Sequence, residues 1–381
     1  MTKKNILFIL SAFPEPIDDG IKKIVSNLIK QAISHEFSIT LVVPSSQLQL
    51  SYANDIKFIF YKKSRTLLDM LKDLACGKPL YFGLYYDDSI NKKIDKSEYD
   101  LIFYDFYPMT QYGSGFKNEL FMMPDSMKQL AYSNFKNEKH ILKKTYSFVN
   151  YLLSMRYNTH LEKFKKLYVS EEDIKLDGIK NSYFLKIPMD EVNQKKYHKI
   201  KIDKKELLFR GVMSFEPNIT AVKKFYNEIF LNLLVKYPSI IFKIVGKDPS
   251  EELQNELTEN TFFTGFVEDI MDEMSKSAIH VAPIYSGTGV KTKIIDSIAL
   301  KRLVMTTPKG IGGIFENVKE ARDNGIIIFE NRDDFFRQYD DIVNDKINYD
   351  EMTKKAYNFL NKETYEKKIY ELFEIAKKDI V

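Results

Sequence analysis

The sequence is poor in several residue types that mark specialised classes of protein. Its 381 residues include a single cysteine, Cys76, and no tryptophan. One cysteine excludes an internal disulfide and a zinc site built on several cysteines, and it fits a protein of the reducing cytosol. Only 12 prolines and 15 glycines accompany 44% hydrophobic residues, which excludes fibrous and disordered chains.

Long apolar runs and a strong net charge are also missing. No uncharged stretch approaches the roughly 18 apolar residues that cross a bilayer. The short run Ile6–Leu10 is followed by Pro14 and Pro16 instead of a cleavage site, so it indicates a buried strand and not a signal peptide. A net charge of +4 and a pI near 8.6 are too mild for a nucleic-acid-binding protein. We expect a cytoplasmic protein, in peripheral contact with the inner membrane face if it contacts a membrane.

The positive charge is concentrated in the first half of the chain. Residues 1–190 carry 27 Lys and Arg against 22 Asp and Glu, whereas residues 191–381 carry 30 against 31. This asymmetry indicates either an anionic partner, such as an anionic membrane, or ordinary scatter in a lysine-rich chain. The stretch His140–Lys166 interleaves aromatic and aliphatic residues with Lys and Arg, and it predicts either a membrane contact or, as we favour, a helix packed on a sheet.

Histidine is scarce, and its positions do not suggest a metal site. None of the five histidines has a partner at a spacing typical of metal ligands. We therefore expect no metal and no cofactor. The five positions are His35, His140, His160, His198 and His280.

The order of secondary-structure signals predicts an α/β protein with two Rossmann-like domains. Continuous apolar runs typical of buried parallel strands alternate with segments of helical period, and the pattern starts again after a polar, lysine-rich stretch. We expect the domain boundaries at 1–186 and 206–361, with a linker at 187–205. A cleft at the carboxyl ends of the two sheets is the expected ligand site.

The segment with the most chemistry runs from a predicted strand through a glycine-containing loop into a helix. Gly287 and Gly289 allow a close approach of the backbone to a ligand, and the first N–H groups of the helix favour an anion. Lys291 and Lys293 add positive charge there, and Asp296 lies one turn into the helix, where a carboxylate accepts hydrogen bonds from a ribose diol. The pattern predicts a nucleotide diphosphate site. The alternative is a solvated helix start, although cations there oppose the helix dipole.

This run resembles the donor-binding region of retaining glycosyltransferases of family 4, which have the GT-B fold. The segments Arg210–Asn218, Ile244–Pro249 and Thr264–Ile270 precede it in the order found in the family, and Pro14–Gly20 and Tyr99–Phe103 resemble its N-terminal motifs. The resemblance implies two Rossmann-like domains facing each other across a cleft, with a final helix at about 362–381 that crosses back to the first. It also implies donor-binding residues at Gly211, Gly246, Gly287, Thr288, Gly289, Val290, Lys291, Lys293 and Asp296.

The sequence departs from the family pattern at three places. Many members carry two glutamates separated by seven residues across the glycine loop, and Thr288 and Asp296 stand at those positions here. A basic pair that often follows the strand at Gly211 is missing from 212–217, so we expect Lys291 or Lys293 to bind the diphosphate instead. The sequence at 187–190 replaces the Pro-Asn-Gly of many relatives.

The resemblance places the acceptor on the first domain. Asp125 lies where many relatives have a histidine of the catalytic region, and Asp19 and Gly20 lie in the acceptor-side loop. Each of these has a simpler interpretation, because Asp125 with Ser126 fits a helix N-cap and the loop fits a turn. We predict catalytic roles for Asp125 and for Lys291, which would stabilise charge on the leaving diphosphate.

The resemblance therefore predicts a glycosyltransferase that moves a sugar from a nucleotide-diphosphate donor to a hydroxyl acceptor with retention of configuration. The acceptor would be a glycan, lipid-linked or protein-linked, in the synthesis of surface polysaccharide or glycoconjugate. The main alternative is a non-catalytic GT-B protein that stabilises another transferase, which the change at Thr288 favours. A sugar-nucleotide epimerase of similar fold is disfavoured by the motifs.

Overall fold

Two parallel sheets organise the chain, and each is built from buried apolar runs. The structure is a computed structural model, and the chain divides into a first unit, up to Ile187 together with residues from Thr364 onward, and a second unit, Pro188–Glu363. The residues that it describes are 3–17, 19–45, 50, 56–62, 66–138, 140–190, 192, 194–197, 203–287 and 289–380.

The first unit contains a seven-stranded parallel sheet in the order β3-β2-β1-β4-β5-β6-β7. Strands β4 and β5 are buried along their whole length, as expected where helices cover both faces of a sheet. The strands are β1 (Asn5–Ile9), β2 (Ser38–Pro44), β3 (Lys57–Tyr61), β4 (Leu101–Tyr104), β5 (Glu119–Met123), β6 (Lys165–Tyr168) and β7 (Ser182–Phe184).

Amphipathic helices cover this sheet. The first begins at Asp19, whose carboxylate caps it, and its apolar stripe from Ile24 to Ala32 is buried. The helices of this part of the chain are α1 (Gly20–Ser34), α2 (Leu67–Ala75), α3 (Ser89–Lys93), α4 (Met127–Asn137), α5 (Ile141–His160) and α6 (Glu171–Asp177).

The second unit has a six-stranded parallel sheet in the order β10-β9-β8-β11-β12-β13. Both sheets run outward in two directions from a central strand pair, and this confirms the predicted doubly wound α/β architecture. The strands are β8 (Asp203–Arg210), β9 (Ile241–Val245), β10 (Thr261–Phe263), β11 (Ser277–Ala282), β12 (Leu303–Thr306) and β13 (Ile327–Ile328).

Helices on both faces complete the second unit. A π-helical turn, Tyr226–Phe230, joins α8 to α9. The remaining helices of the chain are α7 (Gln194–Tyr197), α8 (Glu216–Phe225), α9 (Leu231–Lys236), α10 (Glu251–Glu256), α11 (Ile270–Ser275), α12 (Thr292–Ala299), α13 (Val318–Asp323), α14 (Arg332–Val343), α15 (Tyr349–Leu360) and α16 (Tyr365–Lys377).

The final helix, α16, belongs to the first unit and not to the second. It packs against α1 and the β4–β5 region through a buried stripe that includes Ile369, Leu372 and Phe373. Lys165 of β6 donates a hydrogen bond to the carbonyl of Ala376, near the end of this helix. The predicted return of the last helix to the first unit is confirmed.

Three segments differ from the sequence-based expectations. The stretch 140–166, for which we favoured a helix packed on a sheet, contains α5, which packs against α4, and the start of strand β6. Strand β7 has no apolar run, and the sequence does not predict it. The segment expected to be a polar linker contains the start of β8, at Asp203. It also contains the short helix α7, whose Tyr197 anchors it through an aromatic ring. That ring is buried against Leu208, Val245, Met274 and Leu300.

Candidate functional site

The candidate site lies at the carboxyl edge of the sheet in the second unit. Strands β8 and β11 are neighbours there, and the chain continues from β8 towards β9 on one side and from β11 towards β12 on the other. Such a switch point leaves a crevice outside the strand ends, which is where open α/β sheets bind ligands. Arg210 ends β8, and the glycine-containing loop follows β11 and leads into α12.

Arg210 and Asp296 form an ion pair across this edge. A guanidinium N–H of Arg210 donates to the carboxylate of Asp296, whose side chain is 2% exposed, while the side chain of Arg210 is 23% exposed. The pair links the end of β8 to the second turn of α12. Asp296, predicted to accept hydrogen bonds from a ribose, is therefore a buried partner of an arginine.

Lys293 lies beside this pair on the first turn of α12. Its ammonium donates to Oδ1 of Asn218 at 2.7 Å and lies 4.1 Å from the ring centroid of Phe209. Burial lowers its pKa well below the ordinary value, and the positive charges of Arg210 and Lys291 lower it further. The side chains of Arg210, Lys291 and Lys293 thus lie close together. Burying their positive charge costs free energy unless an anion is bound beside them.

Two helices begin at this cluster without a side-chain cap. Among the described helices of the second unit, α10, α11, α13, α14 and α15 each start with a side chain that accepts a backbone N–H. The starts of α8 at Phe215 and of α12 at Lys291 have no such bond in the described part of the chain. The positive ends of these two helix dipoles favour an anion at this place.

The glycine loop itself has the backbone that its glycines permit. Gly287 and Gly289 have φ values of 89° and 73°, a left-handed region that residues with a Cβ rarely adopt. Gly289 is buried, Val290 is half-buried, and the ammonium of Lys291 donates to the carbonyl of Gly289 at 2.7 Å. Thr288, a predicted donor-site residue, lies outside the described residues.

Gly211 and Gly246 are glycines for a packing reason. A Cβ placed on Gly246 would lie 2.0 Å from the carbonyl oxygen of Gly211. A Cβ placed on Gly211 would lie 2.7 Å from Nδ2 of the Asn218 side chain. The loops after β8 and β9 therefore touch through backbone alone. This contact brings the start of α8 to the edge of the sheet, so both glycines shape the site whether or not they touch a ligand.

The predicted acceptor-side residues lie in the first unit and include helix starts. Asp19 caps α1 by accepting the N–H of Lys22 at 2.8 Å, and Gly20 is the first residue of that helix. Ser126, and not Asp125, is the N-cap of α4, and Asp125 beside it is half-buried. Helix capping therefore explains the aspartate at position 19. It does not explain Asp125, because Ser126 caps α4.

Two groups of the structure have no role in the sequence-based predictions. Arg210 belongs to a family motif, but the basic residues of relatives are expected after Gly211 and not before it. Asp105 follows β4 and accepts the N–H and the hydroxyl of Ser11, which follows β1, at 2.8 and 2.9 Å. Burial raises the pKa of Asp105 to about 7. Its place at the central strand ends, directly after β4, is the signal that would have identified it.

No metal centre is found in the described ranges. No three His, Cys, Asp or Glu side chains there lie close enough to hold an ion. The most buried histidine, His280, bonds Ser297 and the carbonyl of Met274 through its two ring nitrogens, and burial lowers its pKa to about 3. As for spanning segments, none of the helices in the described ranges combines the length and apolar character that crossing a bilayer requires.

Comparisons with known proteins show what the segment around this site resembles. Residues 204–345 match the model of the family "Glycosyl transferases group 1". The match contains the Arg210–Asp296 pair and the glycine loop. Over these residues the chain is similar to the group 1 glycosyltransferases.

Solved structures extend the likeness to the whole chain. A glycosyltransferase from Rickettsia africae is 14% identical with a TM-score of 0.65, over 100% of both chains. WaaG, a glycosyltransferase involved in lipopolysaccharide biosynthesis, is 11% identical with a TM-score of 0.64, over 98% of this chain and 100% of the other. HepE from Anabaena, solved in complex with UDP and glucose, is 11% identical with a TM-score of 0.62, over 96% and 98%.

These likenesses establish the fold. At such low identity they show that the chain has the GT-B fold, which confirms the α/β class predicted from the sequence. A comparison with curated proteins gives no match.

Proposed function

We propose that the chain is a retaining glycosyltransferase whose second unit binds the diphosphate of a nucleotide-sugar donor. The observation that carries the proposal is the convergence of Arg210, Lys291 and Lys293 with the uncapped starts of α8 and α12. Cationic groups and the positive ends of helix dipoles around one crevice favour a bound diphosphate. The group 1 glycosyltransferase match over the same residues supports this.

In this proposal Arg210 replaces the basic pair that relatives carry after the strand. Its guanidinium, held by Asp296, presents its remaining N–H donors towards the crevice, where a phosphate can accept them. Asp296 then acts by orienting Arg210, because its carboxylate is buried and engaged. Gly287 and Gly289 leave the space for the phosphates to reach the backbone.

Catalysis would be electrostatic. Negative charge accumulates on the diphosphate as the bond to the sugar breaks, and the cations of the site stabilise that charge in the transition state. Lys291, at the start of α12, keeps its predicted role in this step. Asp125, in the first unit, remains our candidate for a polar contact with the acceptor.

The proposed class of acceptor is based on the similarity of the chain to solved glycosyltransferases, and not on a contact within this structure. Of the structural neighbours, WaaG is involved in lipopolysaccharide biosynthesis, and HepE forms a complex with UDP and glucose. We propose a UDP-type or related sugar nucleotide as donor and the hydroxyl of a glycan, lipid-linked or protein-linked, as acceptor. The product would belong to a surface polysaccharide or a glycoconjugate, and the reaction would require no metal.

Calorimetry with UDP, GDP and TDP against Lys291→Ala and Lys293→Ala tests the donor site. Each change removes a charge-assisted hydrogen bond worth about 1.5–3 kcal/mol, so the affinity for the preferred diphosphate should fall about 10- to 150-fold. The free nucleoside should bind as before, because it has no anion.

Lys354→Ala, which removes an exposed lysine elsewhere in the second unit, is the matched control. The melting temperature of each variant shows whether it is folded. If both site variants are folded and bind the diphosphate as tightly as the parent, the phosphate site lies elsewhere.

A further inference from the structure

Helices α4 and α5 form a hairpin of unusual charge on the first unit. Residues 127–160, which we name the basic hairpin, contain six Lys and Arg residues and one acidic residue, Glu138. The resulting excess of five positive charges equals the whole excess of residues 1–190, where 27 basic residues face 22 acidic ones. The asymmetry seen in the sequence is therefore local to one surface feature.

The long helix of this hairpin is inverted in polarity. The residues of α5 that are buried include Asn150, Ser154 and Asn158, of which Asn150 accepts the N–H of Leu80 and Asn158 accepts the hydroxyl of Tyr107. Tyr157 is buried with them, whereas six large apolar residues of the same helix are exposed. A helix on a protein in water normally has the opposite arrangement.

The exposed apolar residues of α5 run along one face from its first turn. Ile141 and Leu142 are each 73% exposed, and they are the most exposed large apolar residues of the first unit's described part. Phe148, Leu152 and Met155 follow at spacings of four and three residues and are 38–44% exposed. An apolar stripe of this size indicates an interaction surface.

Helix α2 also exposes apolar residues. Leu68, Leu71 and Leu74 are exposed at three-residue intervals, whereas Asp73 of the same helix is buried and accepts the N–H of Gly83. Gly77, just after α2, lies beside Arg156 of α5, since a Cβ there would be 3.5 Å from its Nε. The loop after α2 therefore contacts α5.

We propose that the basic hairpin docks the first unit on the surface of an anionic lipid bilayer. Ile141 and Leu142 would enter the boundary between headgroups and acyl chains, while Lys143 and Lys144 bind anionic headgroups. Exposed apolar residues beside lysines, on helices free of acidic residues, are the combination that holds an interfacial helix at such a membrane. This inference does not depend on the proposed donor site.

Flotation of the full chain with lipid vesicles tests the proposal. The chain should float with vesicles of phosphatidylcholine containing about 30% phosphatidylglycerol, and much less with phosphatidylcholine alone. Lys143→Gln with Lys144→Gln should lower the partition coefficient about 30-fold, because each lysine near the surface contributes about one factor of five. Binding should also weaken as salt screens the charges.

The apolar contribution is tested separately. Ile141→Ser with Leu142→Ser should lower partitioning at least about tenfold without destabilising the chain, because both side chains are already in water. Matched controls in the second unit are Val235→Ser with Phe262→Ser, which are 84% and 59% exposed, and Lys319→Gln with Lys354→Gln. These should float like the parent.

Three outcomes would overturn the proposal. The first is that the chain does not float with anionic vesicles. The second is that the hairpin variants float as well as the controls. The third is that neutral vesicles bind the chain as strongly as anionic ones. The parent could also form a dimer in solution and bind no vesicles. If the Ile141 and Leu142 changes then dissociate that dimer, the surface binds a second copy of the chain and not a membrane. UDP calorimetry on the same variants should match the parent in every case.

Discussion

Replacing Arg210 by methionine should weaken both donor binding and the stability of the second unit, for separable reasons. The methionine keeps the length and apolar stem of the side chain but removes the guanidinium that pairs with Asp296. A phosphate then loses a charge-assisted partner, and a carboxylate that is 2% exposed is left without its cation. The first effect concerns the ligand, and the second concerns the folded state.

The two effects have different expected magnitudes. Loss of one charge-assisted bond to phosphate costs about 1.5–3 kcal/mol, or about 10- to 150-fold in UDP affinity. Removal of one partner of a buried ion pair typically costs about 3–5 kcal/mol, and we expect about 3 kcal/mol because Arg210 is partly exposed. The double change Arg210→Met with Asp296→Asn should recover most of the stability but none of the affinity.

Urea unfolding and UDP calorimetry on the two single variants and the double variant separate these terms. Arg337→Met, which removes an exposed arginine of α14, is the matched control and should change neither quantity appreciably. If Arg210→Met binds UDP like the parent once the folded fraction is taken into account, Arg210 does not contact the diphosphate. If the double variant regains the affinity, the loss in the single variant came from unfolding.

Two further predictions concern protons. Binding of a diphosphate should raise the lowered pKa of Lys293, so that binding takes up protons and weakens as the pH rises through the pKa of Lys293 in the complex. Calorimetry in buffers of different ionisation enthalpy measures this proton uptake. Binding heats that do not depend on the buffer at any pH would contradict the prediction. Burial raises the pKa of Asp105 to about 7 from 3.8, so the stability that its protonated form contributes is complete below pH 3.8 and is lost as the pH rises to about 7. Asp105→Asn should flatten the pH dependence of urea unfolding over that interval, and an unchanged slope would count against the assignment.

The sequence was sufficient for the architecture because its signals are local. Buried parallel strands such as β4 are continuous apolar runs, and α16 shows its packed face through residues such as Ile369 and Leu372. Strand β7, with its half-buried residues at the edge of the sheet, has no such signal. The bounds of the elements differ by a few residues, since caps such as Ser126 decide them.

The site was less predictable because it depends on pairs that are distant in sequence. The glycine loop and the two lysines at the start of α12 were identified from their spacing, whereas the ion pair joins residues that are 86 positions apart. Asp296 was predicted to bind a ribose, and no local pattern indicates that Arg210 pairs with its carboxylate. Similarly, the inversion of α5 is visible only when the buried residues of the helix, such as Asn150, are known.

The most direct test of the central claim is turnover of a sugar nucleotide. The parent chain, incubated with a panel of UDP-, GDP- and TDP-sugars without acceptor, should release nucleoside diphosphate from one class of donor by slow hydrolysis. Arg210→Met with Asp296→Asn, which we expect to be folded, should release it at least about tenfold more slowly at the same donor concentration. Absence of release from every donor by the folded parent, together with no binding of any nucleoside diphosphate, would contradict the assignment of a donor site to the second unit.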